Sequence, residues 1–401
     1  MRKIVISTMG TVLSLGLLTQ TVAAEEPTVT SETAILISEK SGEVLYAKQA
    51  DKQMYPASIT KILTGIMAIE QGDLDEVVTV SEDAVDVIGT TVFLLEDEEM
   101  ELEQLIQGLL INSGNDAGSA IAEHLAGSEE AFAQEMNEFL EDEIGVTNTH
   151  FTNPHGLYNA NHYTTAYDMA KITQYAMNNE TFREIVGTEE LDWEGESWET
   201  TLYNHHQLVR DHDEITGVKN GFVSQSGFTL VTSAETEDDE WIVVTLNAPS
   251  SQAAYSDARS LLSYGTEHFS TNELEAGKVF EDEDGQQYEL EQDAYVTFGD
   301  RDDLEVTVLG QRLVITEGET IRLVEELSLI EEEKKEAETG ADVEEAIDTS
   351  EPNFLDRLLR FFPFLNEEKS RSFMKRRDLA CCYEAILKQS RMNNHDVLKS
   401  G

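Results

Sequence analysis

Apolar and polar positions along this 401-residue chain recur with two different periods. Near the start, Ala34-Ile35-Leu36-Ile37 and Glu43-Val44-Leu45-Tyr46-Ala47 flank Ser41-Gly42, and two short apolar runs around a turn predict a β-hairpin. Pro56 then precedes a run over 59–70 in which Ile62, Leu63, Ile66 and Ile69 keep the spacing of one helical face. The same spacing predicts helices over 102–111, 117–125, 129–143 and 166–178. Strand patterns return at 228–234 and 241–247, followed by a helix over 250–264. Strands first, helices in the middle and strands last imply an antiparallel sheet covered by helices, an α/β chain of the α+β type, over residues 25–270.

From 277 to 330 the pattern shortens. Segments such as Tyr295-Val296-Thr297-Phe298, 304–309 and 312–316 alternate with Gly and Asp turns, which predicts a small all-β domain. Residues 331–352 are acidic and nearly free of aromatics, the composition of a linker. Over 353–366, Phe354, Leu355, Leu358, Phe361 and Phe362 share one helical face, opposite Asp356, Arg357 and Arg360. That amphipathic stretch is a candidate for peripheral membrane contact, with docking on its own protein as the alternative. The tail, 367–401, departs from the rest: from Lys369 on it carries eight Lys or Arg against three acids. Such a break suggests an extension of different origin, and it is assigned no function.

At the other end, Met1-Arg2-Lys3 leads an apolar stretch to Leu18 and a small-residue end Val22-Ala23-Ala24. This is the pattern of a secretory signal peptide over 1–24; the alternative, a membrane anchor, needs a longer apolar run. An extracytoplasmic location is therefore expected. The only cysteines, Cys381-Cys382, lie in the tail, so no disulfide framework supports the domains. With 27 basic and 80 acidic residues the formal net charge is −53. A surface of that sign repels nucleic acid and anionic lipid, which excludes nucleic acid as a partner. It fits either exposure to high external salt or ordinary acidic solvation.

Three short strings carry the chemistry: Ser58-Ile59-Thr60-Lys61, Ser113-Gly114-Asn115 and Lys219-Asn220-Gly221. Acyl transfer needs a nucleophile, a base for its proton and donors for the developing oxyanion. Ser58 and Lys61, three apart, share one helical face, and Ser58 lies at the helix start where free N–H groups favour negative charge. A lysine beside a serine acts as base only if desolvation or a nearby cation such as Lys219 lowers its pKa. Taken alone, the pair also fits a helix cap and a surface lysine.

Together with their surroundings, these strings resemble the low-molecular-mass penicillin-binding proteins, the serine-type D-alanyl-D-alanine carboxypeptidases of peptidase family S11. Pro56-Ala57-Ser58-Ile59-Thr60-Lys61-Ile62-Leu63-Thr64 is similar to their active-serine helix and Ser113-Gly114-Asn115-Asp116-Ala117 to their second motif. Phe151-Thr152-Asn153-Pro154-His155-Gly156-Leu157 resembles a further family segment. Gly217-Val218-Lys219-Asn220-Gly221-Phe222, then Ser226-Gly227-Phe228-Thr229, resembles the third motif and its following strand. The resemblance spans about residues 30–270. It implies a β-lactamase/transpeptidase-like domain and the trimming of peptidoglycan stem pentapeptides. Ser58 would be acylated with release of the terminal D-alanine, Lys61 would be its base, and Ser113 and Asn115 would relay protons and hold Lys61 and the substrate amide. Lys219, with Asn220, Gly221 and Phe222, would bind substrate, Lys219 at the terminal carboxylate, and the N–H groups of Ser58 and Phe222 would form the oxyanion hole. β-Lactam antibiotics would acylate the same serine.

Asn220 departs from the threonine usual in that third motif; an amide also donates, but from a longer, planar group. Two other functions use similar residues. A β-lactamase would need an extra carboxylate base, and no E-x-x-L-N string stands between the second and third motifs. A catalytically weak peptidoglycan- or partner-binding protein would be labelled at Ser58 without releasing D-alanine. The histidines at 150, 155, 162, 205, 206 and 212 lack a metal-ligand spacing and fit ordinary loop and core positions. No metal and no cofactor is expected.

Overall fold

The computed structural model describes residues 26–237, 239–299 and 303–330. The expected signal peptide, acidic linker, amphipathic stretch and basic tail lie outside them. Five antiparallel strands form the central sheet in the order Val44–Lys48, Thr33–Ser38, Glu240–Ala248, Gly227–Glu235 and Ile215–Val223. The strand Thr33–Ser38 is buried along its whole length because both faces of the sheet are covered. Ile35 and Ile37 point into a core shared with Ile62, Leu63, Ile66 and Leu105, whereas Ala34 and Leu36 face Ala258 and Leu261 of the helix Ser251–His268.

The helical layer comprises Lys61–Gln71, Leu102–Leu110, Asn115–Ala126, Glu129–Phe139, Ala166–Met177 and Glu180–Gly187. Side-chain caps fix several starts: Ser128, Thr165 and Asn179 accept from the backbone N–H three residues on at 3.0–3.1 Å. The helix expected from residue 59 begins at Lys61, since Ala57–Thr60 winds as a tighter single turn. The helix expected over 129–143 ends at Phe139 and widens over Leu140–Ile144.

The all-β part begins ahead of the expected boundary at 277, because Ser270–Leu274 leaves the last helix and pairs with Ala294–Phe298. Its second sheet runs in the order Val279–Glu281, Gln287–Leu290, Thr320–Leu329, Arg312–Glu317 and Leu304–Val308 around Leu290, Val296, Phe298, Leu313 and Ile315. Arg322 reaches across to Glu43 at 2.8 Å while pairing Glu317 at 2.7 Å, and Ser41 Oγ lies 2.6 Å from Thr297 Oγ1. These contacts join the hairpin tip to the β part.

Candidate active site

Ser58 lies in the Ala57–Thr60 turn that leads into the helix Lys61–Gln71. Ala57 has φ +53°, a left-handed conformation that costs a residue with a Cβ about 1–2 kcal/mol. Neighbours hold it there. Thr229 Oγ1 donates to the Pro56 carbonyl at 2.8 Å and Thr60 Oγ1 to the Ala57 carbonyl at 2.9 Å. Gly156, itself at φ +86°, packs so closely that a Cβ there would lie 1.9 Å from the Ala57 oxygen.

Lys61 is fully buried and its Nζ has three neighbours: Asn115 Oδ1 at 2.7 Å, the His155 carbonyl at 2.7 Å and Ser58 Oγ at 3.4 Å. Burial, then the charge of Lys219, drives its pKa well below the usual 10.5, against the opposing pull of Asp116. A neutral amine has two N–H bonds and one lone pair. The two short partners are carbonyl oxygens that can only accept, so they take both N–H bonds and leave the lone pair for the Ser58 hydroxyl. The geometry is that of a base.

Ser113, at φ +65°, and Asn115 come from the junction before the helix Asn115–Ala126. Asn115 Oδ1 faces Lys61 and its amide nitrogen donates to the Ile88 carbonyl at 2.6 Å, which leaves one N–H for a substrate. Next to it, buried Asp116 accepts from the backbone N–H groups of Val92 and Leu94 at 3.0–3.1 Å, tying the loop beside the second motif to the helix. His155 Nδ1 accepts from the Leu157 N–H at 3.3 Å, so Nε2 carries the proton that faces Glu129, also at 3.3 Å. That bond orients the residue whose carbonyl holds Lys61.

The third motif occupies the edge strand Ile215–Val223. Gly221 lies against the nucleophile turn: a Cβ would be 2.7 Å from the Ser58 nitrogen and 2.6 Å from Thr229 Oγ1. Lys219 is buried beneath, its pKa lowered to about 7 by desolvation, and its Nζ donates to Asn220 O and Oδ1 at 3.2 and 3.4 Å. The Asn220 carbonyl thus turns toward Lys219 and its NH₂ group is left for the cleft. Phe222, 54% exposed, packs against Phe228 with the ring centroids 4.6 Å apart and the planes tilted by 37°.

Ser58, Ser113, Asn220, Gly221 and Phe222 line one cleft of about 250 Å³, with Lys61, Asn115 and Lys219 behind its wall. All eight residues selected from the sequence therefore meet. His205, Tyr255 and Ser251 also line the cleft without a sign in the sequence: His205 reads as an ordinary histidine, and nothing in the helix Ser251–His268 marks its first turn as facing a site.

Behind Lys219, buried His206 bonds Thr232 Oγ1 at 2.9 Å, and burial first, then Lys219, lowers its pKa from 6.5 to about 3. A lowered histidine contributes stability above pH 6.5 that is lost as pH falls toward 3, because only the unfolded chain binds the proton there. Comparing wild type with His206→Gln in urea unfolding separates this group from the carboxylates. The stability difference should move by about 1.4 kcal/mol per pH unit below 6.5, against the wild type. A difference that stays constant from pH 7 to 5 would show that His206 does not stay neutral in the fold.

The family model for D-alanyl-D-alanine carboxypeptidase matches residues 20–250. The Bacillus subtilis D-alanyl-D-alanine carboxypeptidase DacF is 32% identical over 250 residues, which is 61% of this chain and 64% of that protein's length. Among solved structures, penicillin binding protein 5 from Haemophilus influenzae superposes with a TM-score of 0.69 at 27% identity, covering 77% of this chain and 98% of that one. The Streptomyces K15 DD-transpeptidase gives 0.58 at 28% identity, covering 60% and 99%. The helix-covered sheet is thus a transpeptidase-like fold, and the serine, its lysine and the motif strand stand on it where one cleft forms. With a family model matched over more than half its length, this chain belongs to the D-alanyl-D-alanine carboxypeptidase family, peptidase S11.

Proposed function

We propose that the protein is a serine-type D-Ala-D-Ala carboxypeptidase that removes the terminal D-alanine from peptidoglycan stem pentapeptides through a Ser58 acyl-enzyme. The observation that carries this reading is the buried Lys61 amine, 2.7 Å from two carbonyl oxygens that can only accept and 3.4 Å from Ser58 Oγ, an arrangement that in the neutral amine leaves the lone pair for the serine hydroxyl. Lys61 takes the hydroxyl proton as Ser58 attacks the penultimate D-alanine carbonyl, and the N–H groups of Ser58 and Phe222 receive the oxyanion. Collapse of the tetrahedral species expels the D-alanine amine, which takes up a proton through Lys61 and Ser113. Water then hydrolyses the acyl-enzyme by the same route in reverse. Lys219 and the Asn220 NH₂ group hold the leaving carboxylate; that anion favours the charged form of Lys219, which in turn keeps Lys61 neutral.

Penicillin would acylate Ser58 and leave slowly, since no carboxylate lines the cleft among the described residues to drive a second hydrolysis. The sequence of residues 1–24 supports an extracytoplasmic location and that of 353–366 supports contact with the membrane surface.

The test is D-alanine release from a pentapeptide, compared with penicillin turnover in the same preparation. Release with slow penicillin turnover is expected; fast penicillin turnover without release would replace the reading by a β-lactamase. Labelling without release would make it a binding protein. The same assay reads position 220. A poorly aimed hydrogen bond to a charged group costs about 1.5–3 kcal/mol, so Asn220→Thr should raise kcat/KM for the free acid by about tenfold to a hundredfold, and less for the C-terminal amide. An equal change for acid and amide would show that Asn220 does not read the carboxylate.

A further inference from the structure

The loop from Phe151 to His162 forms no regular element, yet it bonds the nucleophile segment at Thr60, Lys61 and Thr64. Thr64 Oγ1 donates to the Pro154 carbonyl at 2.6 Å, Lys61 to the His155 carbonyl at 2.7 Å, and Thr60 Oγ1 lies 2.8 Å from His162 Nε2. His162 is 2% exposed, its ring stacked on Phe151 at 4.9 Å with 17° between the planes. Its protons are determined by its partners. Nδ1 accepts from the Thr152 backbone N–H at 3.0 Å, so the single proton of a neutral ring lies on Nε2 and is donated to Thr60 Oγ1. Thr60 then spends its own hydroxyl proton on the Ala57 carbonyl at 2.9 Å. The chain therefore runs in one direction, from Thr152 through His162 and Thr60 to the left-handed residue before Ser58.

We infer that His162 is a positioning residue for acylation: its neutral imidazole, acting through Thr60, holds the strained Ala57 turn that presents Ser58 to the Lys61 lone pair. The inference rests on the acyl-enzyme reading above. The Ser58–Lys61 contact is already long at 3.4 Å, so a small drift of the turn takes the nucleophile out of reach of its base. Without an Nε2–H donor, Thr60 can rotate its hydroxyl toward another acceptor and release the Ala57 carbonyl. His162 is not a second base, because Thr60 separates it from Ser58 and its pKa, lowered to about 3 mainly by burial, makes it a poor proton acceptor.

The experiment measures penicillin acylation of Ser58 by stopped flow over a range of penicillin concentrations, which separates the acylation rate constant from the pre-covalent affinity, with thermal melting of each variant. A glutamine amide supplies an acceptor for Thr152 and a donor for Thr60, so His162→Gln should acylate within about threefold of wild type. His162→Leu keeps an apolar volume and loses the donor; its acylation rate constant should fall about tenfold or more with affinity little changed. Thr60→Val should match His162→Leu, and Thr60→Ser should match wild type, which decides the question even where the leucine variant does not fold. Wild-type rates in His162→Leu or in Thr60→Val would overturn the inference. So would a glutamine variant that folds and is as slow as leucine. Absence of wild-type labelling would instead defeat the acyl-enzyme reading itself.

Discussion

Replacing Lys61 should slow acylation of Ser58 by penicillin about a hundredfold or more, the scale of losing a general base. Lys61→Met keeps the length of the side chain in a fully buried site and has no lone pair of comparable basicity. Lys61→Arg introduces a permanent positive charge and stays protonated at any working pH, so it also cannot accept the serine proton. The two variants differ in charge and in bulk, yet share the missing lone pair, and their agreement is what the mechanism requires. In Lys61→Met both Asn115 Oδ1 and the His155 carbonyl lose a donor, and in Lys61→Arg the bulkier group must fit the same buried site, so melting curves must accompany the rates. A folded Lys61→Met that acylates within tenfold of wild type would mean that another group takes the proton.

The second large effect is steric. Gly156→Ala should abolish most acylation and destabilise the fold well beyond the roughly 1 kcal/mol of an average substitution. The added methyl would lie 1.9 Å from the Ala57 oxygen and 2.4 Å from its carbonyl carbon, backbone atoms that can move only by shifting the nucleophile turn. Gly127→Ala is the control. Gly127 has φ +83°, close to the +86° of Gly156, but nothing lies within 4 Å of its added Cβ. The control should therefore show only the conformational cost of about 1–2 kcal/mol and normal acylation. Equal urea midpoints and equal rates for the two variants would show that the contact between Gly156 and Ala57 does not hold the turn.

Much of the site was legible because its side chains act at short, regular spacing. Ser58 and Lys61 share a helical face across one turn, whereas Lys219 stands out through its motif alone, because Ile215–Val223 is a strand that the hydrophobic pattern does not predict. What stayed hidden works through backbone atoms or distant partners. The His155 carbonyl that holds Lys61 belongs to the backbone, so no residue type announces it. The bond from His162 to Thr60 joins positions 102 apart in sequence, and His162 alone looked like any core histidine. The left-handed backbone at Ala57 and Ser113 falls on residues that carry a Cβ, where composition gives no warning.

The fold class follows from the pattern, but single elements escape it where acidic side chains dilute the periodic signal. In the helix Glu180–Gly187 only Phe182, Ile185 and Val186 are buried hydrophobics, and the hairpin of Glu190–Glu194 with Glu199–Tyr203 buries only Trp193 and Leu202 fully. Trp193 nevertheless matters, since it closes over Gly108 of the helix before the second motif, where a Cβ would come within 2.9 Å of the ring. The early start of the β part has a similar cause: Ser-Thr-Asn-Glu-Leu at 270–274 exposes mostly polar side chains and is a strand only because Ala294–Phe298 pairs with it.

The central claim, that Ser58 forms the acyl-enzyme, is tested most directly by mass spectrometry of the protein after brief exposure to a penicillin. One adduct of the intact penicillin mass is expected, located by proteolysis on the peptide that contains Ser58 and absent from a folded Ser58→Ala variant. An adduct on any other residue, or labelling of Ser58→Ala at the wild-type rate, would contradict the account.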